Sequence, residues 1–167
     1  IHTARRGDPF WPALTLSLGA LGVITELTLD TVESVTLRET ADLVSVDQAL
    51  AEWPELIRAH RGIECFWFPD EDVCMRRSVH PVDDACHLPL NRETSLPHFL
   101  RAHLPPERVG PGHELLLSPA HRRFVEMEYA FNAEDAIAAF GALREQLLRS
   151  EEADRWPVQM RPAGRDT

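Results

Sequence analysis

Two glutamates, Glu126 and Glu128, stand two positions apart in the segment 123–131, which alternates polar and apolar residues. The alternation predicts a β-strand with both carboxylates on one face, about 6–7 Å apart. Carboxylates paired in this way can act as general acid and base, as in glycoside hydrolysis. A solvated sheet face explains the same pattern, and we expect that role. The acids are then expected to pair with Arg76-Arg77 and Arg122-Arg123 on neighbouring strands. The opposite side of the strand is predicted to be core: Val125, Met127, Tyr129 and Phe131.

A second candidate site is the glycine-punctuated sequence SLGALGVITELTL at residues 17–29. Gly19 and Gly22 allow a tight turn that a ligand can approach closely, because they carry no Cβ. From Val23 the residues alternate, which predicts a strand with one apolar face. Such a loop suits a ligand held by backbone groups, and a plain turn is the alternative. The glycines precede a strand rather than open a helix, so this is not a dinucleotide fingerprint.

Three segments together resemble one family, in that family's order. They are the glycine loop, the run Phe66-Trp67-Phe68-Pro69 followed by Asp72 and Arg76-Arg77, and the run RFVEMEYA at 123–130. These segments resemble flavoproteins of the vanillyl-alcohol-oxidase type, in particular the alditol and D-arabinono-1,4-lactone oxidases. The resemblance implies that residues 1–31 are the tail of an FAD-binding domain and residues 32–167 part of a substrate, or cap, domain. It also implies a set of FAD-binding residues: Ser17, Gly19, Gly22, Val23 and Ile24.

The function implied by this resemblance is FAD-dependent oxidation of a CH–OH group, on a polyol or aldonolactone, with oxygen as acceptor. The family's Glu-x-Arg pair corresponds here to Gln159-Met160-Arg161. Arg161 is expected to stabilise negative charge on the reduced flavin or a substrate oxygen. Gln159 can hydrogen-bond a substrate hydroxyl but cannot take its proton. This departure, together with an 80–112 segment shorter than the family's, leaves an alternative open, a non-catalytic or degenerate α+β binding or assembly module.

The amino-acid composition indicates which classes of binding partner the chain favours. Acidic residues outnumber basic ones, 27 to 17, for a net charge of −10. That balance argues against nucleic-acid binding and fits a small polar substrate. No apolar run reaches the ~20 residues of a membrane helix. The chain begins at Ile1 inside an apparent domain, so we expect a fragment, which alone would bind no flavin.

No side-chain cluster has a recognised metal-binding or triad pattern. Three cysteines, an odd number in no tight motif, predict free thiols in a reducing, cytoplasmic compartment. Cys65 is predicted to be a small buried hydrophobe. The possible zinc ligands have no C-x-x-C spacing, so no metal is predicted: Cys74, His80, Cys86 and His87. No histidine shows a pairing with Ser or Cys that would suggest a catalytic triad.

The order of the predicted helices and strands indicates an α+β fold, a mainly antiparallel sheet flanked by helices. The family resemblance implies that the last loop and strand of a flavin-binding domain precede this sheet. A helix is predicted from the Ser45 cap to Gly62, with a kink or restart at Pro54. A second helix follows Asn132 and buries a stripe at Ile137, Phe140, Leu143, Leu147 and Leu148. A short helix is possible at Leu96–His103. The predicted strands after the glycine loop are 34–43, 63–69, 73–79, 115–117, 123–131 and 157–161.

Overall fold

A computed structural model describes residues 2–15, 17–60, 62–83, 107–116, 125–150 and 156–164. The chain divides into two compact units. The first comprises Ile1–Glu33 with Ala163–Thr167, and the second is Ser34–Pro162. The assignment of residues 1–31 to an FAD-binding domain, and of 32–167 to a substrate domain, stays a prediction.

The second unit is built on a five-stranded antiparallel sheet in the order β4-β1-β3-β2-β5. Its strands are β1 (Thr36–Ser45), β2 (Gly62–Phe68), β3 (Val73–Pro81), β4 (Arg108–Pro111) and β5 (Val158–Met160). Helices flank the sheet, so the predicted α+β class is confirmed. The Asp70–Asp72 turn joins β2 to β3, as expected, with Asp72 in the left-handed region at φ 51°.

Two helices cover one face of this sheet, called here the helix face. They are α2 (Val46–Ala59) and α4 (Ala133–Arg149); α1 (Trp11–Thr15) belongs to the first unit, and α3 (Gly112–Leu115) is a single turn. Buried residues alternate along β2 because successive side chains point to opposite faces. The core therefore lies between β-strands and helices, at Val44, Ala49, Trp53, Leu56, Ile63, Cys65, Trp67, Cys74 and Phe140.

Helix α2 begins where the sequence predicts. The Ser45 hydroxyl accepts a hydrogen bond from the Gln48 amide at 3.2 Å. The Gln48 side chain donates to Glu52 instead of returning to Ser45, so only half of the capping box forms. The helix runs unbroken through Pro54 and ends at the His60 cap, so the restart and the stop at Gly62 were wrong. Val46, Ala49, Trp53 and Leu56 hold both sides of the proline against the sheet, which outweighs one lost hydrogen bond.

Helix α4 begins after Asn132, as predicted, but the Asn132 side chain makes no capping bond. Only Phe140 of its predicted stripe is fully buried, and Leu143 and Leu148 are about two-fifths exposed (42% and 40%). The ring of Phe140 packs edge-on against Trp67, with ring centroids 5.5 Å apart.

Several predicted strands are absent from the described residues. Neither 22–33 nor 125–132 forms one, and their apolar side chains are exposed, including the predicted core residues Val125, Met127, Tyr129 and Phe131. Alternation alone does not make a strand, because a second backbone must pair with it. Leu115 ends helix α3 instead of opening a strand. Strand β4 was missed, since Arg-Val-Gly-Pro has no alternation to reveal it. The predicted Leu96–His103 helix lies outside the described residues.

Candidate functional site

The candidate site lies on the sheet face opposite the helices, called here the second face. Strand β5 is an edge strand, and Gln159 lies directly opposite Phe66 of β2. Residues opposite each other in an antiparallel pair share a face, so Gln159 lies beside Phe66 and two positions along from Glu64. Gln159 is exposed, and the predicted strand at 157–161 is confirmed over Val158–Met160.

Arg161 follows β5 directly. Its guanidinium donates to both carboxylate oxygens of Glu128, at 2.9 and 3.2 Å. The hydrogen bond that Arg161 donates to Glu128, and then the charges of Glu128, Glu64 and Glu126, raise the pKa of Arg161. Both partners are largely exposed, 52% and 72% of the side chain, and exposed pairs contribute about 0–1 kcal/mol. The guanidinium therefore remains available to a ligand at the end of β5.

Four charged side chains form a row across the second face, called here the charge row. Its members alternate in sign: Arg108, Glu39, Arg77 and Glu64. Arg108 donates to Glu39 at 2.6 Å, and Arg77 donates to Glu39 at 2.9 Å and to Glu64 at 3.0 Å. The register explains the row, because Glu39 lies opposite Arg108 and Glu64 lies opposite Arg77.

Glu39 is the most buried member of the charge row, at only 2% exposed. Burial alone would raise the pKa of Glu39, but hydrogen bonds from Arg108 and Arg77 outweigh it and lower that pKa. Burial likewise opposes the charge of Arg77, while Glu39 and Glu64 raise the pKa of Arg77 above its usual value. Buried Glu39 therefore holds the two arginines of the row, Arg77 and Arg108, in place.

The expected pairing of Arg76 and Arg77 with Glu126 and Glu128 is wrong. Arg76 lies on the helix face, where it donates to Asp42 at 2.9 Å and also pairs with Glu52. Arg77 points to the second face, because neighbouring strand residues face opposite ways. Arg122 and Arg123 lie outside the described residues. The true partners could have been suspected from β1, because that strand contains two carboxylates, Glu39 and Asp42.

A histidine–serine contact was also missed. The Ser78 hydroxyl lies 3.2 Å from Nδ1 of His60 and 3.4 Å from Nδ1 of His80. Ser78 is completely buried, and the two histidines are nearly so. A substrate cannot reach this hydroxyl, so we assign the cluster a structural role in satisfying buried polar groups.

The glycine loop lies in the first unit. Ala20 donates its amide to Ser17 at 2.8 Å, and φ is 78° at Gly19 and 127° at Gly22. A Cβ built at either glycine would meet nothing within 4 Å. Ser17 is half-buried, whereas Gly19, Gly22, Val23 and Ile24 are exposed. The backbone of the loop is therefore accessible, as contacts between FAD and main-chain groups would require. That the loop makes such contacts stays a prediction.

The cysteines that the structure describes are inert. Cys65 and Cys74 are free and buried, as the apolar setting of Cys65 predicted. A hydrogen bond with Cys65, and then burial, raise the pKa of the Cys74 thiol far above its ordinary value. Cys86 and His87 lie outside the described residues, and within those residues no cluster of three metal-ligating side chains occurs.

Part of the chain is similar to one family of known proteins. Residues 27–100 match the sequence model of the D-arabinono-1,4-lactone oxidases. The chain is 36% identical over 63 residues to the D-arabinono-1,4-lactone oxidase of Yarrowia lipolytica, covering 38% of this chain and 12% of that protein. It is 37% identical over 78 residues to the L-gulono-1,4-lactone dehydrogenase of Mycobacterium tuberculosis, covering 47% of this chain and 18% of that protein. The family resemblance predicted from the sequence is confirmed.

The match is partial in length. The chain spans 12% and 18% of those two relatives, which places most of their length outside it. No solved structure matches the chain significantly. In the described residues, every helix is too short or too polar to cross a membrane.

Proposed function

We propose that this relative of the aldonolactone oxidases carries part of the substrate-binding sheet of an FAD-dependent oxidoreductase, acting on a CH–OH group of a sugar lactone or polyol. The observation that carries the proposal is the match of residues 27–100, which include strands β1 to β3, to the lactone-oxidase family. These strands form the sheet on which Gln159 and the charge row lie. We also propose a cytoplasmic location.

This chemistry requires three things of the protein: it must bind FAD, orient the substrate carbon and handle the hydroxyl proton. Bound FAD would accept a hydride from that carbon. Arg161 would stabilise negative charge on a substrate oxygen, and Gln159 would hydrogen-bond a neighbouring hydroxyl. Ser17, Gly19, Gly22, Val23 and Ile24 would present backbone groups to the flavin.

A second candidate function is a non-catalytic or degenerate binding or assembly module. Gln159 favours it, because an amide stands where the related oxidases carry a carboxylate, and an amide cannot act as a base. The two proposals differ in whether the full-length protein that carries this chain turns over a lactone.

The deciding experiment supplies the full-length protein with FAD and follows lactone and polyol oxidation. D-arabinono-1,4-lactone and L-gulono-1,4-lactone are the first substrates, since the relatives are named for them. Peroxide release is compared with reduction of an artificial dye, because one relative is named an oxidase and another a dehydrogenase. We expect lactone turnover with peroxide release. Absence of turnover with both acceptors, in a protein that holds flavin, would support the non-catalytic module.

A further inference from the structure

We propose that Glu64 is the carboxylate that takes the substrate hydroxyl proton, in place of the one that Gln159 lacks. The inference rests on the proposed function and names a catalytic residue for that same site.

Position is the first argument. Gln159 lies opposite Phe66, and Glu64 is the next residue along β2 on the same face. Met160 lies opposite Cys65, so continuing that register by one residue brings Arg161 opposite Glu64. The three groups are thus neighbours at one corner of the second face. A hydroxyl held by Arg161 and Gln159 would lie within reach of Glu64.

The hydrogen bonds of Glu64 also support this role. Only Oε2 of Glu64 is bonded, to Arg77 at 3.0 Å, while in the described part of the chain Oε1 accepts no hydrogen bond. Arg77 also donates to buried Glu39, which accepts a second hydrogen bond from Arg108. The charge row therefore holds the Glu64 carboxylate in place and leaves one of its oxygens open to a substrate hydroxyl.

Glu64 is also accessible to a substrate. Exposure rises along the row from 3% at the Glu39 side chain through 18% at Arg77 to 27% at Glu64. Glu64 is therefore the more accessible carboxylate of the row, and the register places it at the end of the face beside Arg161.

Bound FAD would supply the acceptor for the hydride that leaves when the substrate C–H bond breaks. The hydroxyl O–H bond would break, its electron pair would form the carbon–oxygen double bond, and its proton would pass to Glu64. Glu64 would then return the proton to solvent.

The test uses the full-length protein with FAD and measures kcat and KM for the lactone. Glu64→Gln should lower kcat about 100-fold with little change in KM. Adding Gln159→Glu to that variant should restore kcat to within about tenfold of the wild type. A merely structural Glu64 would not be rescued in this way. Glu55→Gln, an exposed carboxylate on α2, is the matched control and should change nothing.

Two further readouts separate chemistry from folding. Flavin content and thermal midpoint of Glu64→Gln should equal those of the wild type. If that variant does not fold, Glu64→Asp replaces it, and the withdrawn carboxylate should lower kcat about tenfold or more. Full kcat in either folded variant overturns the assignment of Glu64 and leaves the proposed function standing. A flavin-loaded wild type that turns over neither lactone nor polyol overturns both.

Discussion

At the scale of single residues, Arg76 and Asp42 form an ion pair that is buried on the helix face of the sheet. Both side chains are only 1% exposed, and Arg76 Nε donates to Asp42 Oδ1 at 2.9 Å. Burial opposes the charge of Arg76, while Asp42 and Glu52 raise its pKa above the usual value. Two charges in this setting depend on each other, because a buried ion without its partner has lost its hydration with no compensation.

We therefore expect Asp42→Ala to lower the free energy of unfolding by about 3–5 kcal/mol. Arg76 would keep only Glu52, whose side chain is 44% exposed. Glu55→Ala is the control, because it breaks an ion pair with Arg58 that is 79% and 67% exposed and should cost under about 1 kcal/mol. Urea unfolding of both variants measures the difference. Equal losses would show that Arg76 finds solvent or another partner.

At the scale of elements, Asp72 connects the β2–β3 turn to helix α4. Its Oδ1 accepts from Trp67 Nε1 at 3.0 Å and from Arg144 Nε at 2.8 Å, and Arg144 also bonds Oδ2. The hydrogen bond from Arg144 lowers the pKa of Asp72 below its ordinary 3.8. A carboxyl with a lowered folded-state pKa stabilises the protein above pH 3.8, and that contribution is lost as pH falls through the folded-state pKa.

Asp72→Asn should lower the free energy of unfolding by about 1 kcal/mol at pH 7, since the pair is partly exposed. Asparagine tolerates the left-handed backbone at this position, so the turn itself is kept. The difference from wild type should close as pH falls below 3.8. Asp47→Asn is the matched control, because Asp47 is 92% exposed and 4.0 Å from the same arginine. A gap that persists in acid would mean that the charge of Asp72 is not the cause.

The sequence predicts the main helices and strands better than it predicts the contacts between them. Strands β1 to β3 and helices α2 and α4 were predictable because apolar periodicity is a local signal. The contacts that build the charge row join residues 13, 38 and 69 positions apart, and Arg76 and Asp42 are 34 positions apart. A local sequence pattern cannot predict contacts between residues so far apart in the chain. They become visible only from the order and register of the strands. Gln159 and Arg161 were found through a resemblance in type and place, whereas Glu64 became a candidate only once β2 was seen beside β5.

At the scale of the whole molecule, the two units differ in what they leave exposed. In the second unit, the helix face buries a continuous core between β-strands and helices. In the first unit, apolar side chains from 18 to 32 are largely exposed, among them Leu18, Val23 and Val32 at 90% or more. An apolar stretch of this kind is typical of a surface that another structure covers. In the proposed function that structure is FAD together with the flavin-binding part of the enzyme.

Gly22→Val in the full-length protein tests this role of the loop. Gly22 has φ 127°, which a β-branched residue does not adopt without strain. We expect flavin content to fall about tenfold or more, with the KM for lactone unchanged in the fraction that retains flavin, because the strain falls on the cofactor loop. Gly7→Val is the matched control, since Gly7 also has a positive φ, 97°, and open space around its Cβ position, but lies outside the loop. Equal flavin loss in both variants would indicate general damage to the unit. Full flavin occupancy in a folded Gly22→Val protein would show that the loop is only a turn.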